Sequence, residues 1–118
     1  MNIEELRDYC LSKKGVEETT PFGPDTLVYK VMGKVFLLTG LDAPSLQFNV
    51  KCDPEKVVEL REQYPCVIPG YHMNKKHWNT ILVDGSVSEK LILEWIDHSY
   101  DMVVGGLTQK DKKLLKDL

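Results

Sequence analysis

The chain has 118 residues, the size of one domain, and is long enough to bury a core without disulfides or metal. Its formal net charge of −3 excludes a globally basic nucleic-acid binder, because neutralising phosphates needs a positive footprint, which here has to be local. Apolar residues make up 42% and charged residues 28%, as in an ordinary globular domain, and no apolar run is long enough to span a bilayer.

The acidic start, Met1-Asn2-Ile3-Glu4-Glu5, lacks the apolar region of a signal peptide, so a cytoplasmic protein is expected. A first helix is predicted from Ile3 to about Lys14, with Asn2 as N-cap and Glu5 in the reciprocal position. Ile3, Leu6, Cys10 and Leu11 form its apolar stripe, and Gly15 is placed to end it in a left-handed cap. Thr19-Thr20-Pro21-Phe22-Gly23-Pro24-Asp25 reads as a rigid turn. Three strands are predicted next: Thr26 to Val31, Lys34 to Thr39 and Ser45 to Val50. Met32-Gly33 fits a tight hairpin connection. In the third strand Leu46, Phe48 and Val50 alternate with Gln47 and Asn49, giving one buried and one wet face.

Asp53-Pro54 opens a second helix, with Val57, Leu60 and Tyr64 inward and Pro65 as its stop. A loop around Tyr71 leads to a strand from Trp78 to Val83 that ends at Asp84-Gly85. Ser88 caps a long helix to about Val104, and Thr108 starts a short one carrying Leu114-Leu115. Strands joined by short turns predict an antiparallel meander with flanking helices, an α+β domain. There is no internal repeat and no low-complexity linker.

The segment Gly70-Tyr71-His72-Met73-Asn74-Lys75-Lys76-His77-Trp78 has neither a helical nor a strand-like apolar period. It concentrates aromatic faces for stacking, cations for phosphates and polar groups for base edges. Lys30 and Lys34 flank the first hairpin, and Lys51 follows the third strand. The plain structural alternative is that Tyr71 and Trp78 anchor the core while the lysines are simply solvated.

Other chemistries find less support. Cys10, Cys52 and Cys66 are odd in number and far apart, which fits buried thiols in a reducing compartment. Cys66, His72 and His77 lack a fourth metal ligand, so no metal is assigned. No nucleophile elbow, Walker lysine or other cofactor-binding motif is present, so neither an enzyme nor a cofactor is expected. His98-Ser99-Tyr100-Asp101 sits on a helix, where neighbours diverge by about 100° and do not converge on one substrate.

Several segments together resemble the MmcQ/YjbR family of small bacterial proteins. They are Arg7 to Ser12, Gly15 to Asp25, Leu27 to Val31, Gly33 to Phe36, Leu46 to Pro54, Pro69 to Thr80 and Ser99 to Val104. Lys14-Gly15 departs from a Pro-Gly associated with many members, a change at a helix end. Members are often labelled DNA-binding by analogy with a double-wing architecture. The resemblance therefore implies DNA as partner, with the first hairpin and the loop before Trp78 as two projections. In that picture Lys34, Lys51, Lys75 and Lys76 contact phosphates, and Tyr71, His72 and Asn74 reach bases or sugars. Trp78 braces the loop from below. The alternative is a protein-interaction or small-ligand module without a nucleic-acid role.

Overall fold

The computed structural model describes residues 1–70 and 73–118. In chain order the elements are α1 (Ile3–Leu11), β1 (Val16–Thr19), β2 (Thr26–Val31), β3 (Lys34–Gly40), β4 (Gln47–Lys51) and α2 (Pro54–Gln63). Then follow β5 (Val67–Pro69), β6 (Trp78–Leu82), α3 (Glu89–Gly105) and α4 (Gln109–Lys116). The strands form one six-stranded sheet in the order β1-β2-β3-β4-β6-β5, with every neighbouring pair antiparallel.

Most elements start where the capping chemistry places them. Asn2 and Glu5 form the reciprocal capping box, and Asp53, Ser88 and Thr108 each accept a backbone N–H at the start of their helices. Met32 and Gly33 both adopt positive φ, 50° and 79°, as a two-residue hairpin turn requires. Two strands were not anticipated. Val16–Thr19 and Val67–Pro69 are short edge strands whose residues carry little alternation of their own, so pairing with β2 and β6 defines them. The first helix also ends at Leu11, with Ser12 as its C-cap, which leaves Gly15 (φ +74°) to turn the chain into β1.

One face of the sheet is covered by α3, which lies on β3 and β4. Tyr29, Leu37, Phe48, Val50 and Ile81 meet Ile92, Trp95, Ile96 and Val103 in the core. Tyr64 at the end of α2 packs edge-on to Trp95, with ring centroids 5.2 Å apart. Cys10, Cys52 and Cys66 are free and buried, and burial pushes the Cys10 thiol up to about 12.

The sheet has a weak seam. Between β2 and β3 the register slips at Tyr29/Lys30, which leaves Phe36 as an extra residue on β3. Beyond it β3 pairs with β4 only at Leu37↔Val50 and Leu38↔Asn49. Side-chain hydroxyls close the seam on both sides. Thr39 Oγ1 donates to the Gln47 carbonyl at 2.7 Å. On the other side the buried Ser99 hydroxyl of α3 accepts from the Lys51 N–H at 2.8 Å and donates to the Phe36 carbonyl.

Its neighbours on α3 each tie down a different element. His98 Nε2 accepts from the Asp53 N–H at the start of α2. Tyr100 donates to the Lys14 carbonyl at 2.6 Å and sets its ring edge-on to Phe36. Asp97 receives Tyr9 and Lys13 from the α1 side, and the Lys13 ammonium lies 5.0 Å and 5.1 Å from the Tyr9 and Tyr100 ring centroids. Burial, then the Asp97 carboxylate, pushes the Tyr9 phenol up to about 12. His98, Ser99 and Tyr100 thus point to different elements and do not converge on one substrate.

Two tests follow from this seam. Ser99→Ala orphans a part-buried N–H and a buried C=O, so it should cost about 1–3 kcal/mol in urea unfolding; a midpoint that does not move would show the seam to be held elsewhere. His98 is held neutral by burial and by nearby Lys56, against weaker pulls from Asp53 and Asp101. Its folded pKa is therefore below that of the unfolded chain, which takes up the extra proton first as pH falls. Stability from this ring is complete above about pH 6.5 and is lost as pH drops below that value. The gap in melting temperature between wild type and His98→Gln should narrow between neutral and mildly acidic pH.

Candidate nucleic-acid interface

The antiparallel register sorts the turns, and with them the charges, into two ends. One end collects the start of β1, the β2–β3 turn, the end of β4 and the loop entering β6. That end carries Lys14, Lys34, Lys51, Lys75 and Lys76. Lys30 lies one residue in from it and faces Glu17 across the strand pair. The other end collects the turns before β2, after β3 and after β6, which carry Asp25, Asp42 and Asp84 and neither lysine nor arginine. An acidic chain therefore presents a basic end. Acids are present at that end too: Asp53 and Glu55 open α2, where Asp53 as N-cap accepts from the Glu55 N–H at 2.9 Å.

α4 extends the basic end. Leu115 fills the space that a Cβ on Gly15 would need, and Lys14 Nζ donates to the Lys116 carbonyl at 2.7 Å. This docks Lys110, Lys112, Lys113 and Lys116, together with Asp111 and Asp117, beside the start of β1. Sequence reasoning treated this helix as a packing element; its contribution depends on a docking contact from the far terminus of the chain.

From Asn74 to Trp78 the chain entering β6 is tied down by its own turn and by α2. Asn74 organises it: its Oδ1 accepts from the Lys76 N–H at 2.9 Å, and its carbonyl accepts from His77 and Trp78 N–H. The Asn74 carboxamide oxygen is thus engaged in its own turn. Arg61 of α2 clamps the loop from behind, donating to the carbonyls of Lys75 and Trp78 and, at 2.6 Å, to Asn79 Oδ1. Buried Asn79 in turn donates to the Val57 carbonyl of α2. Arg61 was absent from the candidates because nothing local in α2 marks it. At the loop's entry Gly70 donates to the Trp78 carbonyl at 3.1 Å, so close that a Cβ on Gly70 would sit 2.9 Å from both Trp78 Cβ and its oxygen.

Tyr71 and His72 lie outside the described residues. Lys75, Lys76 and Lys34 are exposed, and Lys51 is half-buried. Trp78 pairs with Lys51, so both project from the face opposite α3, alternating with core-facing Val50 and Asn79. The indole is half-buried and lies outside the core cluster, and the hold that Trp78 has on the loop runs through its backbone carbonyl.

That open face is also concave. A groove of about 730 Å³ crosses it, lined by Phe22, Thr26, Leu38, Gly40, Asp42, Ala43, Pro44, Gln47, Asn49, Met73 and Thr80. Thr80 donates to Asn49 Oδ1 across the β4–β6 pair. Gln47 and Asn49 are the wet positions legible in the strand alternation. Phe22, 72% exposed between two prolines, is a signal that sequence reasoning passed over: a large aromatic in a rigid turn has little to pack against.

Fold and site define a small α+β domain whose antiparallel sheet has one helix-covered face, one face that carries no helix among the described residues, and a lysine-bearing end. Residues 11–102 match the YjbR family, and the chain belongs to that family. It is 40% identical to YbdF of Escherichia coli O157:H7 over 96% of this chain and 93% of that protein. It is 33% identical to YjbR of Escherichia coli K12 over the full length of both. A Deinococcus radiodurans crystal structure with a DUF419 domain superposes with a TM-score of 0.90 at 38% identity, covering 98% of this chain and 88% of that one. A Pseudomonas syringae crystal structure gives 0.75 at 29% identity, over 86% of this chain and 98% of that one. The expected α+β fold is thereby established. Among the described residues no helix is long and apolar enough to cross a membrane.

Because Arg61 holds the loop by a planar fork, Arg61→Lys should release it despite keeping the charge. Amide exchange at His77 and Trp78 should accelerate while Val50 stays protected; unchanged exchange at those two amides would show that the Asn74 turn is sufficient alone.

Proposed function

We propose that this protein binds DNA by its backbone phosphates, through the lysine-bearing end of the sheet. The observation that carries the reading is the sorting of charge by strand register. Lys34, Lys51, Lys75 and Lys76 come from three separate segments and gather at one end, while Asp25, Asp42 and Asp84 are carried to the other. A polyanion is attracted to one pole and repelled from the other, which orients its approach in spite of the net charge of −3. The first hairpin and the Arg61-clamped stretch that carries Lys75 and Lys76 are both short and tied down, so little ordering of these lysines' backbone is needed on binding. In this reading Lys34, Lys51, Lys75 and Lys76 contact phosphates, which position a duplex or strand without reading its sequence.

The rival, a docking surface for another protein, differs in its response to salt. Phosphate contacts release counterions, so affinity for mixed-sequence DNA should fall steeply with salt, by a log–log slope of about 0.9 for each phosphate neutralised on a duplex. Replacing Lys75 and Lys76 together by Ala should weaken binding and lower that slope by about 1.8, with the melting temperature unchanged. Fluorescence anisotropy over a salt series measures both quantities. If the wild-type protein fails to bind DNA even at low salt, the reading is wrong.

A further inference from the structure

The groove on the open face has a composition that phosphate contact alone does not require. Its volume of about 730 Å³ lies in the range that accepts a small organic group. Its floor combines apolar Leu38 with the carboxamides of Gln47 and Asn49 and the hydroxyl of Thr80, and Phe22 and Met73 contribute apolar surface. Asn49 is oriented by the hydrogen bond its oxygen accepts from Thr80. Among the described residues, Asn49 Nδ2 and the Gln47 carboxamide have no protein partner. A carboxamide offers donor and acceptor side by side, the pattern on the polar edge of a nucleobase.

The strand places these groups in line with the lysines. Gln47, Asn49 and Lys51 project from the same face of β4 at intervals of about 7 Å, so a cation follows the carboxamides in the direction of the lysine end. Asp42 closes the opposite end of the groove. A bound group therefore meets uncharged polar contacts along the floor and a carboxylate at one end, with Lys51 beyond the other end, outside the lining. That suits a ligand whose flat polar portion lies in the groove with its anionic portion toward Lys51.

We propose that the groove holds an unpaired base of a DNA strand whose phosphates lie on the lysine-bearing end. The proposal rests on the phosphate-binding reading and adds to it a preference for single strands. A base within a duplex has its pairing edge covered and its faces stacked, so it cannot enter. An unpaired base can lay its face against Phe22 or Met73 and present its edge to Gln47 and Asn49.

The test compares a short mixed-sequence oligonucleotide with its own duplex, both labelled, at low salt. The single strand should bind about tenfold more tightly than the duplex, the size expected for one stacked base. Phe22→Ala, at an exposed position, should remove about that preference for the strand and leave duplex affinity unchanged. Gln47→Ala should act in the same direction. Equal affinity for strand and duplex, or a Phe22→Ala variant that keeps the full strand preference, overturns the groove assignment and leaves the phosphate reading standing. Binding of neither form overturns both.

Discussion

The hydroxyl of Ser99 is the contact on which the sheet's continuity depends. A bulge at Phe36 lets β3 and β4 diverge after two paired residues, and each strand is left with a polar backbone group that the other does not pair, beneath α3. Buried and without partners, such groups would cost more than most single interactions contribute. One serine answers both, accepting from Lys51 and donating to Phe36. It does so from α3, so the helix that covers the sheet also joins its two halves. Asp97, His98 and Tyr100 hold α1, α2 and the turn before β1 from the same stretch of helix.

This arrangement has a consequence at the surface. Lys51 is the residue whose N–H is held by Ser99, and its side chain points to the opposite, open face. Its partner Trp78 leads back into the loop that Arg61 clamps. The seam, the loop and the lysine end therefore form one mechanically connected region. The clamp itself is economical in geometry: a single guanidinium reaches two loop carbonyls and the Asn79 side chain, which only its planar fork permits.

Charge and shape then act at different ranges. The poles of the sheet set a field that is felt before contact, whereas the groove acts only once a ligand has arrived. The net charge is a poor guide to either, because it sums over positions that the fold keeps apart. Lys34 and Asp42 lie eight residues apart in the chain and at opposite ends of β3.

Much of the architecture was legible in the chain. Caps at Asn2, Asp53, Ser88 and Thr108, the Met32-Gly33 turn and the alternation around Phe48 are local signals, settled within a few residues of one another. The edge strands β1 and β5 were not, since a short strand with weak alternation exists only because a neighbour pairs with it. The candidate site divides the same way. Lys75, Lys76 and the wet positions Gln47 and Asn49 stand out in sequence; Arg61, Ser99, Phe22 and the α4 lysines acquire their place from partners in other elements of the chain. By itself the sequence determined which segments turn, which coil and which alternate, because those preferences are written in neighbouring residues. Only the tertiary structure decided that the lysines of the strand turns share an end and that the described helices all cover one sheet face, because both follow from register and docking, which join distant parts of the chain.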